Sequence, residues 1–499
     1  MNFISGMKQS KSKNLFFPLI ILIISCIVCV ESTWCASEEG LKKEINSVLH
    51  KHKPKGSSVG ISIFSISEGI PLYKLNSEKT FIVASNMKLF TTAAALVYLG
   101  PDFEYKTSIS YRGSISSSEE LNGDIIIKGS GDPNISGRFY EYDVTAVPDF
   151  WANSIIKRGI KTITGDIIAD DSIFDRDFIR ESWPQDQLSE WYCAQISGLS
   201  FNDNCIAVEV KPNKNPGSPV YVQTTPKTSY AKIVNDCKTT ALKKKHLFSL
   251  YRKPLTNQIH IKGNIWSESE PQGEYITVHN PPLYAATVFK EILERNNIRI
   301  MGNARVVNDS DLNTEQELHG LTQANSRLGL AVKVTNKRSQ GFYAEQILKT
   351  MGAHIKQEGS FSAGLDVIRD FITELGFSKD QYQIDDGSGL SGKNKLTPGM
   401  IIELLRFMYI HKHGRVFIDS LPVSGIDGTL ENRLKEEPYK SRVRAKTGYL
   451  NKVSTLSGYI RTLDEEVIVF SILVNDIKGS TWQAKRLQNE ICKLLVNYN

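Results

Sequence analysis

The sequence predicts an α+β fold in which one domain, assembled from both ends of the chain, is split by a large β-rich insertion. Two observations carry this expectation. Helix-like and strand-like segments over residues 38–99 are matched by a second helical and strand-rich region after residue 326. Between them, residues 100–317 have another texture, with short alternating segments separated by Gly, Asn, Asp and Pro. The length of 499 residues, with 40% hydrophobic and 23% charged, supports more than one core and excludes a wholly disordered chain.

Taken in order, residues 38–50 read as a short amphipathic helix. Val59-Gly-Ile-Ser-Ile-Phe-Ser-Ile66 alternates as a strand, and Gly69-Ile-Pro-Leu-Tyr-Lys-Leu75 reads as its hairpin partner. From Ser85 to Leu99 the pattern is helical, through the Ala-rich stretch Thr91-Thr-Ala-Ala-Ala-Leu96. In the β-rich part, Asp124-Ile-Ile-Ile-Lys128 and Asp166-Ile-Ile-Ala169 are typical segments. Helices return at 326–412, including Phe342–Lys349 and Gly399–Met408. Strands at 443–449, 454–461 and 466–474 precede an amphipathic helix at 481–497. The divisions expected are 1–36, 37–99, 100–317 and 318–499.

Residues 1–36 read as an export signal. Lys8, Lys11 and Lys13 precede the apolar run Leu15–Val30, and small or polar residues lead to Ala36. A retained single-span anchor and lipidation at Cys26 stay open as alternatives, and with them a peripheral or N-terminal membrane association. Removing the leader takes three Lys and one Glu from a net charge of +6 and leaves +4. That small, dispersed charge gives no case for nucleic-acid binding. Of seven cysteines, Cys193, Cys205, Cys237 and Cys492 remain, read as structural in a compartment that permits disulfides. The nine His form no metal-ligand cluster, no phosphate-cradling Gly loop is present, and no cofactor is expected. Lys243-Lys-Lys-His246 reads as solvated surface of the insertion.

Two short motifs carry chemistry. In Ser85-Asn-Met-Lys88 a helix places residues i and i+3 on one face, bringing hydroxyl and amine within reach. An amine with a depressed pKa can then take the serine proton and generate a nucleophile. The spacing alone is common, since Ser5/Lys8, Ser10/Lys13 and Ser154/Lys157 share it. Lys446-Thr-Gly448 falls on a predicted strand. There a cation can hold a substrate carboxylate, and a Gly admits the substrate backbone.

Together the two motifs resemble the serine acyltransferases that react with penicillin. The segments Gly123–Pro133, Gly165–Asp175, Ser197–Asn204, Asp386-Gly-Ser-Gly-Leu-Ser391, Leu421–Leu430 and Arg444–Gly448 narrow this further. In this order they resemble the class C low-molecular-mass penicillin-binding proteins, the D-alanyl-D-alanine carboxypeptidases/endopeptidases, over residues 40–497. The resemblance implies a penicillin-recognising transpeptidase/β-lactamase-like domain, an antiparallel sheet plus a helical subdomain, interrupted after the first motif. It implies a serine DD-peptidase acting on peptidoglycan stem peptides in the periplasm or cell envelope, with β-lactams as pseudosubstrates. By the same resemblance Ser85 is acylated and Lys88 is its base. Lys446, Thr447 and Gly448 line the carboxylate site, and the Ser85 and Tyr449 backbone N–H groups form the oxyanion hole.

The third element of that family, Ser-x-Asn, is incomplete here. Its positional equivalent is Ser339-Gln-Gly341, with Ser339 present and Gly341 where Asn is expected. Gly offers no side-chain donor or acceptor. Gln340 or Asn336 standing in, a water filling the gap, or a peptidoglycan-binding protein of weak turnover are the three readings. The literal match Ser200-Phe-Asn202 lies in the insertion-boundary segment. Asp386–Ser391 is expected to be a structural loop bordering the cleft, with Gly at φ > 0 and Asp capping the turn.

Overall fold

The computed structural model describes residues 38–312 and 316–498; the expected leader, with Cys26, Cys29 and Cys35, lies outside the described residues. The two ends of the chain share one five-stranded antiparallel sheet. Strands β1 (Ser58–Ser65) and β2 (Ile70–Leu75) come from the N-terminal part. Strands β3 (Val443–Leu450), β4 (Val453–Arg461) and β5 (Val467–Asn475) come from the C-terminal part, and the spatial order is β3-β4-β5-β1-β2. The joining pair is β1 with β5, in register from Ser58 opposite Asn475 to Ser65 opposite Ile468.

Every residue of β4 but Arg461 is buried, and β5 is nearly as enclosed. Both faces of the sheet are therefore covered, which accounts for apolar runs where a one-faced sheet would alternate. Helices α1 (Glu38–His52) and α7 (Trp482–Val496) cover one face, packing Leu41, Ile45, Leu487 and Ile491 on Ile61, Leu456 and Ile472. The other face meets the helical subdomain: α2 (Met87–Tyr98), α3 (Leu328–Lys337), α4 (Gly341–Ile355), α5 (Phe361–Glu374) and α6 (Pro398–Ile410). Tyr459, Val469 and Leu473 pack there with Met400 and Leu404.

The insertion holds three further sheets. A seven-stranded sheet takes in Glu104–Ile115, Glu120–Lys128 and the returning strand Leu318–Arg327, with parallel pairs such as Ile125 opposite Ile167. Two three-stranded sheets follow, one built on Cys205–Lys211 and one on Gln258–Trp266. The helices Ala146–Lys157 and Pro281–Arg295 stand within this β-rich region and were not among the elements expected there. The first has a clear buried stripe, Val147, Trp151, Ala152 and Ile155. The second starts on Asn280-Pro-Pro, a turn signal in sequence. Here it is a helix entry, with the Asn280 side chain accepting from the Leu283 N–H at 3.3 Å.

All four described cysteines are free and buried. Cys205, Cys237 and Cys492 lie in three different hydrophobic clusters, so the structure uses them as packed thiols and not as crosslinks. No helix among the described residues is long and apolar enough to cross a membrane.

Candidate active site

The Ser85–Lys88 motif lies at the junction of sheet and helices. A short 3₁₀ turn, Ala84–Asn86, leads into α2, and the Asn86 amide donates to Ser457 Oγ on β4 at 2.7 Å. Ala84 is buried with φ of 47°, a left-handed conformation uncommon for a residue with a Cβ. Gly389, itself at φ +78°, packs so closely on the Ala84 carbonyl that a Cβ would lie 1.8 Å from its oxygen. The Asp386–Ser391 loop thus clamps the turn that presents Ser85.

One helical turn on, the Lys88 side chain is buried and returns to Ser85. Its Nζ lies 3.2 Å from Ser85 Oγ and donates to the Ser388 carbonyl at 2.5 Å. Burial pushes the Lys88 amine down to about 8, against the opposing pull of Asp386 and Glu345. The Asp386–Ser391 loop, expected only to border the cleft, therefore also touches the amine that faces the serine. A buried acid pair stands behind it. Asp386 accepts from the Gly389 and Ser391 N–H groups and from the Trp183 indole, at 2.7, 2.7 and 3.1 Å. Glu345, from α4, accepts from the Ser388 N–H at 2.6 Å and the Gly387 N–H at 3.2 Å. Burial, and the neighbouring Asp386, push the Glu345 carboxyl well above its ordinary value.

The opposite wall is β3. Lys446 is fully buried and donates to Ser339 Oγ at 2.8 Å and to the Thr447 carbonyl at 2.8 Å. Burial first, then the charge of Lys88, hold its amine well below the usual lysine range. Thr447 pairs with Thr429 through their hydroxyls at 2.7 Å. Gly448 is where β3 meets the Ala84–Asn86 turn. A Cβ there would lie 2.2 Å from Thr455 Oγ1 and 3.0 Å from the Ser85 nitrogen. Gly448→Ala is expected to displace the Thr455 hydroxyl from the Val83 carbonyl it bonds and to shift Ser85. Acylation by labelled penicillin should slow by about a hundredfold, the scale of a 1 Å misplacement; stopped labelling kinetics on folded protein measure it.

Ser85, Lys88, Ser339, Thr447 and Tyr449 line one cleft of about 800 Å³. The structure thus brings these expected site residues together, with Lys446 buried beside them and bonded to Ser339, and Gly448 packed against the Ser85 nitrogen. Gly341 opens α4 at the cleft edge, and neither proposed stand-in for the missing Asn reaches it. The Gln340 amide turns away to donate to Asp203 Oδ2 at 3.1 Å. Asn336 is buried, donating to Thr92 Oγ1 and Ser420 Oγ at 3.1 and 2.8 Å. Both are committed to packing, which corrects the expectation that either substitutes. Ser200-Phe-Asn202 also lies away from the cleft: Ser200 Oγ accepts from Gln346 of α4 and from Asn204, and Asn202 donates to the Cys205 carbonyl.

Glu345, Ser388 as a carbonyl acceptor, and Thr429 were not singled out by sequence reasoning. Their segments, Phe342–Lys349, Asp386–Ser391 and Leu421–Leu430, were visible as an element and two signatures. Their partners are not adjacent in sequence. No group of His, Cys, Asp or Glu among the described residues is arranged to hold a metal ion.

Comparison with known proteins follows the same lines. The profile of the D-Ala-D-Ala carboxypeptidase 3 (S13) family matches residues 41–498. The chain is similar to a D-alanyl-D-alanine carboxypeptidase of Actinomadura sp. (strain R39), 30% identical over 471 residues that cover 92% of this chain and 85% of that one. Among solved structures it resembles penicillin binding protein 4 (dacB) from Haemophilus influenzae. The TM-score is 0.77 at 23% identity, covering 91% of this chain and 99% of that one. A second structure of that protein, complexed with a β-lactam, matches with a TM-score of 0.73 at 22% identity over the same shares.

Proposed function

The chain belongs to the D-Ala-D-Ala carboxypeptidase 3 (S13) family and is a serine hydrolase of that kind; from this premise we propose that it works through an acyl-enzyme on Ser85. The observation that carries the proposal is the pairing of Ser85 Oγ with a buried amine, Lys88, pushed down to about 8. In the neutral form that amine takes the serine proton as Oγ attacks the D-Ala carbonyl carbon. Lys446 and Thr447 hold the terminal carboxylate, and the Ser85 and Tyr449 N–H groups receive the developing oxyanion. Such donors contribute about 2.7–4 kcal/mol each in the subtilisin case. Ser339, held by Lys446, hands a proton to the leaving nitrogen, and water then resolves the ester.

The substrates follow as peptidoglycan stem peptides ending in D-Ala-D-Ala, with D-Ala crosslinks as a second target and penicillins as slow acylating agents. The export signal read in residues 1–36 and the location of this polymer place the enzyme in the cell envelope or periplasm. The catalytic domain, expected as residues 37–99 and 318–499 with 100–317 inserted, is read with its second part starting near Leu328, because Leu318–Arg327 pairs within the insertion's sheet. Two assays test the reading: D-Ala release from a pentapeptide, and mass analysis of the peptide carrying Ser85 after penicillin treatment. Turnover with no adduct on that peptide would assign the nucleophile elsewhere.

The sign of the pH dependence follows from Lys88. Below about pH 8 its amine is protonated and has no lone pair for the serine proton. The acylation rate therefore rises as pH is raised from 6 toward 8 and levels above it. A rate independent of pH over that interval argues against Lys88 as the base.

Gly341 favours one rival reading, a peptidoglycan-binding protein of the same fold with weak turnover. A side chain fits there, since a Cβ at Gly341 would meet only the Tyr192 carbonyl at 3.4 Å and Ser388 Cβ at 3.7 Å. Gly341→Asn is expected to raise the rate of penicillin acylation, by about tenfold for one recovered hydrogen bond to the reacting group. No change shows that this position is not the functional third-motif Asn. Absence of labelling in the folded parent supports the binding-protein reading.

A further inference from the structure

The β3 wall of the cleft holds a hydroxyl that sequence reasoning did not single out. Thr429 lines the cleft together with Ser339, Thr447 and Tyr449. The Thr447 hydroxyl donates to Thr429 Oγ1 at 2.7 Å, and Thr429 in turn donates to no acceptor among the described residues. Lys446 is not open to the cleft in the same way. Its amine is buried and bonded to Ser339 Oγ and to the Thr447 carbonyl, so its charge acts from below the cleft surface. At that surface, what β3 and its neighbouring loop offer a carboxylate is a pair of adjacent hydroxyls.

Thr429 is exposed, yet its loop is anchored on both sides. Residues 422–424 run along the outer edge of β3. There the Ser424 N–H donates to the Val443 carbonyl at 2.9 Å and the Ala445 N–H to the Pro422 carbonyl at 3.0 Å. The chain then turns on Asp427, whose carboxylate accepts from the Val423 N–H at 2.9 Å and from Lys337 at 2.6 and 2.7 Å. Gly428 packs on the Lys337 carbonyl so closely that a Cβ would lie 2.5 Å from its oxygen. Leu430, next after Thr429, is buried in the cluster under the sheet. The loop is thus tied to β3 and to the segment that leads into Ser339. A donor held in this way loses little conformational freedom when an anion arrives.

We propose that Thr429 is a substrate-binding residue that forms, with Thr447, a two-hydroxyl fork for the terminal carboxylate, and so selects substrates that end in a free carboxylate. The inference rests on the acyl-enzyme reading above and adds a specificity-determining residue to it. A hydroxyl has one proton to donate and two lone pairs to accept with. Without a ligand, Thr447 directs its proton to Thr429. With a carboxylate in place, each hydroxyl donates to one of its oxygens, and hydrogen bonds to a charged acceptor are stronger than the hydroxyl pair they replace. A substrate without that carboxylate leaves both donors unmatched, which is how a hydrogen-bonding site rejects an analogue that lacks the partner group.

The test pairs two variants with two peptides, using the full mature enzyme. Thr429→Val removes the hydroxyl and keeps the shape, and Thr429→Ser keeps the hydroxyl. One peptide is the pentapeptide ending in D-Ala-D-Ala. The other has its last residue replaced by ethylamine and carries no terminal carboxylate. On the pentapeptide, Thr429→Val is expected to raise KM by about ten- to a hundredfold, the scale of a lost hydrogen bond to a charged group, with kcat within about threefold of the parent. Thr429→Ser should restore most of that loss. On the ethylamide, parent and Val variant should agree within about twofold, because that peptide has no carboxylate to hold. Equal loss on both peptides, a fall in kcat at unchanged KM, or no loss on either overturns the proposal. Calorimetric affinities in a Ser85→Ala background repeat the comparison without chemistry. There, equal binding of the pentapeptide with and without the Thr429 hydroxyl overturns this assignment. Turnover with no adduct on the peptide carrying Ser85 overturns the acyl-enzyme reading instead, and the two failures are read separately. An unchanged thermal unfolding midpoint shows that each variant is folded.

Discussion

Replacing Ser85 with alanine is expected to abolish both penicillin labelling and D-Ala release, a loss on the order of 10⁵-fold or more in kcat, as for removal of an acylated serine elsewhere. The fold should survive. The Ser85 hydroxyl makes its contact with Lys88 at 3.2 Å, and the turn is held independently by Asn86 on Ser457 and by Gly389 on Ala84. An unchanged thermal unfolding midpoint, with no labelled band, separates loss of the nucleophile from loss of structure. Residual labelling at the parent rate would remove Ser85 from the mechanism. Lys88→Met should follow closely, because it deletes the proton acceptor while filling most of the same buried space.

The second large effect is expected at Glu345. Its carboxyl oxygens accept from the Ser388 and Gly387 N–H groups, and the Ser388 carbonyl in turn fixes Lys88. Glu345→Ala leaves both N–H groups buried and unpaired, at about 1–3 kcal/mol each. A stability loss of about 2–5 kcal/mol is therefore expected in denaturant melts. Labelling should fall in the protein that remains folded, because the loop no longer holds its register. Glu345→Gln retains one acceptor oxygen and should recover part of the stability. Equal stability of the Ala variant and the parent would show that the loop is held by Asp386 alone.

The parts of this molecule that could be read from sequence share one property: they are local. The strand periodicity of 59–66, the helix after Ser85, the closing strands and helix, and both short motifs are each complete within a dozen residues. The structure places those elements at Ser58–Ser65, Met87–Tyr98, Val443–Asn475 and Trp482–Val496. What could not be read depends on distant partners. The Lys88–Ser388 contact joins residues 300 apart, and nothing in Asp386–Ser391 distinguishes a supporting loop from one that bonds a buried amine. The commitments of Gln340 to Asp203 and of Asn336 to Thr92 and Ser420 are equally remote. Both lie within a few residues of Gly341 in sequence, and nothing local marks either as engaged elsewhere. The helix at Pro281–Arg295 was hidden differently, because Asn-Pro-Pro fits a turn and a helix entry equally well.

The register of β1 against β5 also sets a timetable. Ser58 cannot meet Asn475 until the chain has been made through residue 475, long after the insertion has emerged. During that interval β1 and β2 form a hairpin whose inner edge has no neighbour, an exposed template for wrong pairing. The site residues stay apart for as long as this edge is open, since Lys446 lies on β3, more than 350 residues after Ser85. Ser85 and Lys446 therefore come within one cleft only when the strands of 443–475 have closed on that edge.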